Sequence, residues 1–129
     1  MVRILMVDDD PNACKIVEIM LSREGYSLEF AAHGLEALDR AFASPPDLIL
    51  MDILMPVLNG YEASQRLKSD PRTAGIPIIA LTALAFESDR QAAYHAGCNG
   101  YLSKPFTRRQ LLDTLQSFLT CEPTRQALA

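Results

Sequence analysis

With 129 residues, 49% hydrophobic and 22% charged, the chain can bury one core without disulfide or metal staples and is composed like an ordinary soluble globular domain. Its 12 basic and 16 acidic residues leave a formal charge of -4, which argues against nucleic acid as a direct partner; Arg108-Arg109 is too small a basic cluster to reverse that. No apolar run approaches the roughly 20 residues that span a bilayer, and a strand begins directly after Met1 without a signal-peptide core, so a cytoplasmic setting with no membrane insertion is expected. Cys14, Cys98 and Cys121 form no C-x-x-C pair and no metal-ligand spacing, and read as reduced thiols.

Val2 to Val7 is almost continuously apolar, as suits a strand covered on both faces. Asp10 then caps a helix with Pro11 at its first position. Ile16, Val17, Met20 and Leu21 form its apolar stripe, and Gly25 stops it. Ser27 to Ala31 reads as a second strand. Gly34 to Ala43 reads as a helix with Leu35, Leu38 and Phe42 inward, closed by Pro45-Pro46. Leu48 to Met51 is the third strand. Asn59 to Glu62 resembles a capping box and opens a third helix that runs to about Ser69. Ile76 to Leu81 is the fourth strand, with Pro77 tolerable only near its start. Phe86 to Ala96 is the fourth helix, stopped by Gly97, and Gly100 to Ser103 is the fifth strand. Thr107 and Gln110 cap the fifth helix, whose apolar face is Leu111, Leu112, Leu115, Phe118 and Leu119.

Strict alternation of strands and helices implies parallel pairing through right-handed crossovers, and hence a sheet between two helix layers. In such a fold the ligand crevice lies outside the carboxyl ends of the strands. Asp8-Asp9-Asp10, Asp52, Thr82 and Lys104 all follow or end strands, so they fall on one edge of the sheet. Three carboxylates confined to that edge raise one another's pKa. Magnesium relieves the repulsion, because it prefers oxygen ligands and joins carboxylates to phosphate oxygens. Asp9 and Asp52 are the expected direct ligands, with the main-chain carbonyl of Leu54 beside them and Asp8 acting through water. Asp10 suits helix capping, and capping alone is the rival account of the acidic run.

Asp52 is the best nucleophile, since carboxylates can form aspartyl-phosphates. Lys104 would neutralise charge on a phosphoryl oxygen, Thr82 would donate its hydroxyl to another, and Ala83 would leave room for the group. Read singly, Thr82 is also a strand-end cap and Lys104 a solvated charge; their joint arrangement is the signal. There is no G-x-x-x-x-G-K-[ST] loop, and nothing supports a Ser or Cys triad. His33 and His95 read as surface or helix-face residues.

The chain resembles the receiver domain of two-component response regulators. The resemblance rests on Asp8-Asp9 after the first strand, Asp52 followed by Met55-Pro56 and Gly60, Thr82-Ala83, and Tyr101-Leu102-Ser103-Lys104-Pro105-Phe106. It covers about residues 2 to 120, with residues 121 to 129 as a C-terminal tail or the start of a linker. It implies an α/β fold of three layers, a flavodoxin-like (βα)5 sandwich with a parallel sheet of order 2-1-3-4-5. It also implies phosphoryl transfer from a histidine kinase or histidine phosphotransfer protein to Asp52, and a cis Lys104-Pro105 bond. Movement of Thr82 with an inward turn of Tyr101 would remodel the surface of the fourth helix, fifth strand and fifth helix, where a protein target binds. Leu54 and Leu84 stand where many relatives carry polar groups that position water, so slow self-dephosphorylation is expected. Leu84, Phe86 and Phe106 read equally as partner contacts or core. Two rivals remain at this point. One is a magnesium-dependent hydrolase, in which Asp8 and Asp10 resemble the nucleophile and acid of haloacid-dehalogenase-type phosphatases. The other is a binding module that works without phosphorylation.

Overall fold

Runs without a polar face, such as Leu48 to Asp52, are stable as strands only when covered on both sides. The computed structural model describes residues 2–55, 58–83 and 86–119. Its elements alternate as expected: β1 (Arg3–Val7), α1 (Pro11–Met20), β2 (Ser27–Ala31), α2 (Gly34–Ala43), β3 (Leu48–Asp52), α3 (Gly60–Lys68), β4 (Ile78–Thr82), α4 (Glu87–His95), β5 (Gly100–Ser103) and α5 (Arg108–Leu119). All strand pairs are parallel, in the order β2-β1-β3-β4-β5. This is the flavodoxin-like sandwich that the resemblance implied. Pro56, Leu84, Cys121 and the tail lie outside the described residues.

Successive side chains of a strand point to opposite faces, so each strand feeds two cores. Leu5, Val7, Ile49, Met51 and Ala80 pack with Ala37, Leu38, Ala63 and Leu67 under α2, α3 and α4. Ile4, Met6, Leu50, Ile79 and Leu81 pack with Val17, Leu21, Leu111 and Leu115 under α1 and α5. Every residue of β3 and β4 is buried.

Two helix faces differ from expectation. In α2 the inward set is Gly34, Ala37, Leu38 and Ala41, at helical spacing; Leu35 is rotated about 100° off that stripe and is exposed. In α1, Val17 and Leu21 take the buried positions and leave Ile16 52% exposed. Helix α1 also ends at Met20, so Gly25, with φ 81°, serves the following turn rather than the cap. Strand β4 begins at Ile78, and Pro77 precedes it, offering only its carbonyl, which accepts from Ile49 N at 2.9 Å.

Helix starts are held by side chains. Asp10 accepts from Asn12 N at 2.9 Å, and Asn59 Oδ1 accepts from Glu62 N at 3.0 Å. Thr107 and Gln110 bond each other's backbone N–H groups reciprocally, at 2.8 and 3.1 Å. Gly60 has a different reason: a Cβ there would stand 2.4 Å from the Asp52 carbonyl oxygen and 2.9 Å from Ile53 Cα. Only a glycine lets α3 begin against the end of β3. Gly60→Ala is expected to cost about 1–3 kcal/mol in urea unfolding, as overpacking against backbone does; an unchanged midpoint would show that the two segments are free to part.

Candidate functional site

A parallel sheet delivers the carboxyl end of every strand to one edge, and strand order reverses between β1 and β3. Asp8 and Asp9 leave β1 at that reversal, and Asp52 ends β3 beside it. Thr82 ends β4 and is buried, in register with Ser103 of β5. Lys104 follows, and its N–H donates to the Thr82 carbonyl at 2.8 Å. The strand ends thus fix the backbone beneath each functional side chain.

Asp8 and Asp52 are only 3% and 6% exposed, while Asp9 is exposed. One oxygen from each of the three lies within 4.8 Å of the others. Lys104 Nζ stands 2.9 Å from Asp8 Oδ2 and 3.5 Å from Asp52 Oδ1. The other Asp8 oxygen accepts from Asp10 N at 2.9 Å, which ties the site to the start of α1. Asp8 is therefore the lysine's nearer partner, a role that sequence reasoning did not assign. The two residues are 96 positions apart, and no local signal links them.

Burial pushes the Asp52 carboxyl up to about 6, and the charge of Asp8 adds to this against the opposing pull of Lys104. Burial acts to lower the Lys104 ammonium's pKa, but its hydrogen bond to Asp8 and the charges of Asp52 and Asp8 outweigh that and leave it raised. One ammonium faces three carboxylates, all hard oxygen donors. That donor set fits a magnesium ion, which tolerates few protein ligands and keeps several waters.

Of the other expected positions, Ala83 and Leu54 are exposed beside the site. Tyr101 is half-buried against the core cluster under α2, α3 and α4. The Lys104-Pro105 bond is cis. The histidines lie elsewhere. His33 is the N-cap of α2, its Nδ1 accepting from Glu36 N at 3.2 Å, and His95 sits in the last turn of α4. Cys14 is half-buried, its thiol donating to the Asp8 carbonyl at 3.7 Å. Its pKa is pushed up to about 11, by burial first and then by Asp8 and Asp10, so it is no nucleophile at neutral pH. Sequence reasoning missed one surface. Ile16 and Ile19, 52% and 63% exposed, stand on α1. Ile16 and Met20 line an apolar cavity of about 410 Å³ that reaches Lys104, Pro105 and Phe106. Two isoleucines off the buried stripe were the available signal.

Comparison with known proteins places these features in a family. The model of the response regulator receiver domain matches residues 4–116. The DNA-binding dual master transcriptional regulator RpaA of Synechocystis sp. is 38% identical over 119 residues, 92% of this chain and 49% of that protein. The polar-differentiation response regulator DivK of Brucella anthropi is 37% identical over 116 residues, 90% of this chain and 94% of that one. The chain thus spans about half the length of the first of these and nearly all of the second. The receiver domain of a Pseudomonas aeruginosa sensor histidine kinase, solved with a magnesium ion coordinated in its active-site cleft, superposes with a TM-score of 0.86 at 39% identity, covering 92% of this chain and 98% of that one.

The raised Asp52 pKa carries a stability consequence. Without divalent ions, the folded state holds a proton that the unfolded state releases between about pH 4 and 6, so stability falls as pH rises through that window. Asp52→Asn is expected to stabilise the protein in EDTA at pH 7 by about 1–2 kcal/mol, with most of the gain gone near pH 4. Thermal melts of the two proteins at both pH values measure it; equal melting temperatures at pH 7 would contradict the assigned electrostatics.

Proposed function

This chain belongs to the response regulator receiver family, and from that premise we propose that Asp52 takes a phosphoryl group from a phosphohistidine donor, with Asp9, Asp52 and the Leu54 carbonyl holding magnesium and Asp8 reaching it through water. The observation that carries the reading is the set of three carboxylate oxygens within 4.8 Å, with the Lys104 ammonium 2.9 and 3.5 Å from two of them. When bound, magnesium supplies positive charge for the phosphoryl oxygens.

The ionised Asp52 oxygen attacks phosphorus in line; the P–N bond to the donor imidazole breaks, and that nitrogen keeps the electron pair. Lys104 is close enough to exchange an Asp52 oxygen for a phosphoryl oxygen while Asp8 continues to hold it. Thr82, buried at the adjacent strand end, supplies its hydroxyl to a further oxygen. The chain modifies itself and turns over no separate substrate. Asp8 makes a poor nucleophile for the hydrolase alternative, because its two oxygens already accept from Lys104 Nζ and Asp10 N.

Two surfaces support the partner assignments. The exposed isoleucines of α1 and the cavity beside Pro105 and Phe106 suit an apolar helix of a histidine kinase or histidine phosphotransfer protein, presented next to the site. Just before α4, Phe86 is 77% exposed, and on the helix Arg90 stands 5.8 Å over the Tyr94 ring, which suits a protein target on the α4, β5 and α5 surface. Thr82 at the end of β4 and Tyr101 within β5 are the residues that would relay phosphorylation to it.

Incubation with acetyl phosphate and magnesium is expected to label the protein with acid-stable, hydroxylamine-sensitive phosphate, lost in Asp52→Asn. Label that survives in Asp52→Asn but vanishes in Asp8→Asn would favour the hydrolase. Leu54 leaves an exposed apolar group where a polar one could orient an attacking water. Leu54→Asn is therefore expected to speed loss of the label several-fold in a decay assay; an unchanged half-life would remove Leu54 from the account.

A further inference from the structure

Helix α4 is weakly rooted in the core. Ala93 is the one buried residue of this nine-residue helix, whereas α5 buries Leu111 and Leu115. One face of α3 reaches α4 and the turn that follows it. Tyr61, Ser64 and Lys68 stand at i, i+3 and i+7, so they share one helix face. The Tyr61 hydroxyl donates to the Asp89 carbonyl in the first turn of α4, at 3.4 Å, while its ring packs against the core. Ser64 Oγ accepts from Cys98 Sγ at 3.4 Å, just beyond the end of α4. The Lys68 stem lies so near Gly97, the φ 102° residue after α4, that a Cβ there would stand 2.7 Å from its Cγ.

The other end of α3 meets the phosphoacceptor strand. Gly60 N donates to the Ile53 carbonyl at 3.0 Å, and the Asp52 carbonyl closes the remaining space. Tyr61 is the next residue. A shift of the Asp52 backbone therefore has no slack to absorb it before it reaches Tyr61. Asp89 also closes the start of α4, its carboxylate accepting from Phe86 N at 3.2 Å.

We propose that Tyr61 is a positioning residue that couples Asp52 to α4 through α3, packing on the same core cluster as Tyr101. The proposal rests on Asp52 being the phosphoacceptor. A helical carbonyl has a second lone pair, so the Tyr61 bond forms without breaking α4. At 3.4 Å it is long and weak. That strength suits a contact made and released as α4 shifts, because a helix held by many strong contacts could not respond to one phosphoryl group.

Tyr61→Phe keeps the ring and removes only the hydroxyl. Hydrogen exchange of the whole chain in magnesium is expected to be about threefold faster at amides 87–95 in this variant, with β3 and β4 unchanged, as loss of one weak hydrogen bond predicts. If Tyr61 carries the coupling, the affinity for beryllium fluoride, a phosphoryl mimic, is expected to change too, by up to about threefold, since the contact can pass on no more free energy than it is worth. Unchanged exchange in α4 overturns the proposal, and so does faster exchange with unaltered affinity for the mimic. Ser64→Ala, about one turn further along the same face, is expected to loosen residues 96–99 and leave that affinity alone; an equal change in affinity would assign the effect to α3 packing in general and overturn the role of Tyr61. Failure of the wild type to bind beryllium fluoride would overturn the phosphoacceptor reading, and the coupling with it.

Discussion

Two carboxylates buried beside a single ammonium, with a third at the rim, set the terms for the rest of this molecule. Asp8 and Asp52 are removed from water, and Lys104 can approach both but lies closer to Asp8. Burying charge is costly unless it is paired and hydrogen-bonded. The pairing here is incomplete by design of the residue count, three acids to one base, and the shortfall falls on Asp52. The group under strain is the one positioned to react. A cation or a phosphoryl group with its cation relieves that shortage, so the resting electrostatics and the chemistry share one cause.

Such a cluster persists only on a scaffold that cannot relax around it. Strands β3 and β4 are buried throughout, and the backbone bonds from Asp8 N to Ala31 and from Lys104 N to Thr82 pin the strand ends laterally. The loss of all side-chain volume at Gly60 brings α3 up to the Asp52 carbonyl. The helices around this frame are unequal. Those that carry leucines into the sheet are anchored, while α4 offers one alanine and takes a long hydrogen bond from Tyr61. Rigidity beneath the reacting group and looseness at a distant helix are what a transmitted shift requires.

The fold was legible because its signals were redundant. Each strand is an apolar run, the starts of α1, α3 and α5 carry capping residues, and the alternation admits few topologies. The acidic site was legible for a related reason: Asp8 and Asp52 close apolar runs, where a buried carboxylate is costly without a partner. Orientation was harder. Leu35 and Ile16 lie one residue from the buried stripe, and a leucine is a stronger inward signal than the alanines that pack there. His33 escaped notice because imidazole is an uncommon cap, and the contact of Lys104 with Asp8 because nothing local joins residues so distant in the chain.

Helices α1 and α4 pack on opposite sides of the sheet. A helix lying along the isoleucines of one leaves the other in water, so the two layers can be covered independently.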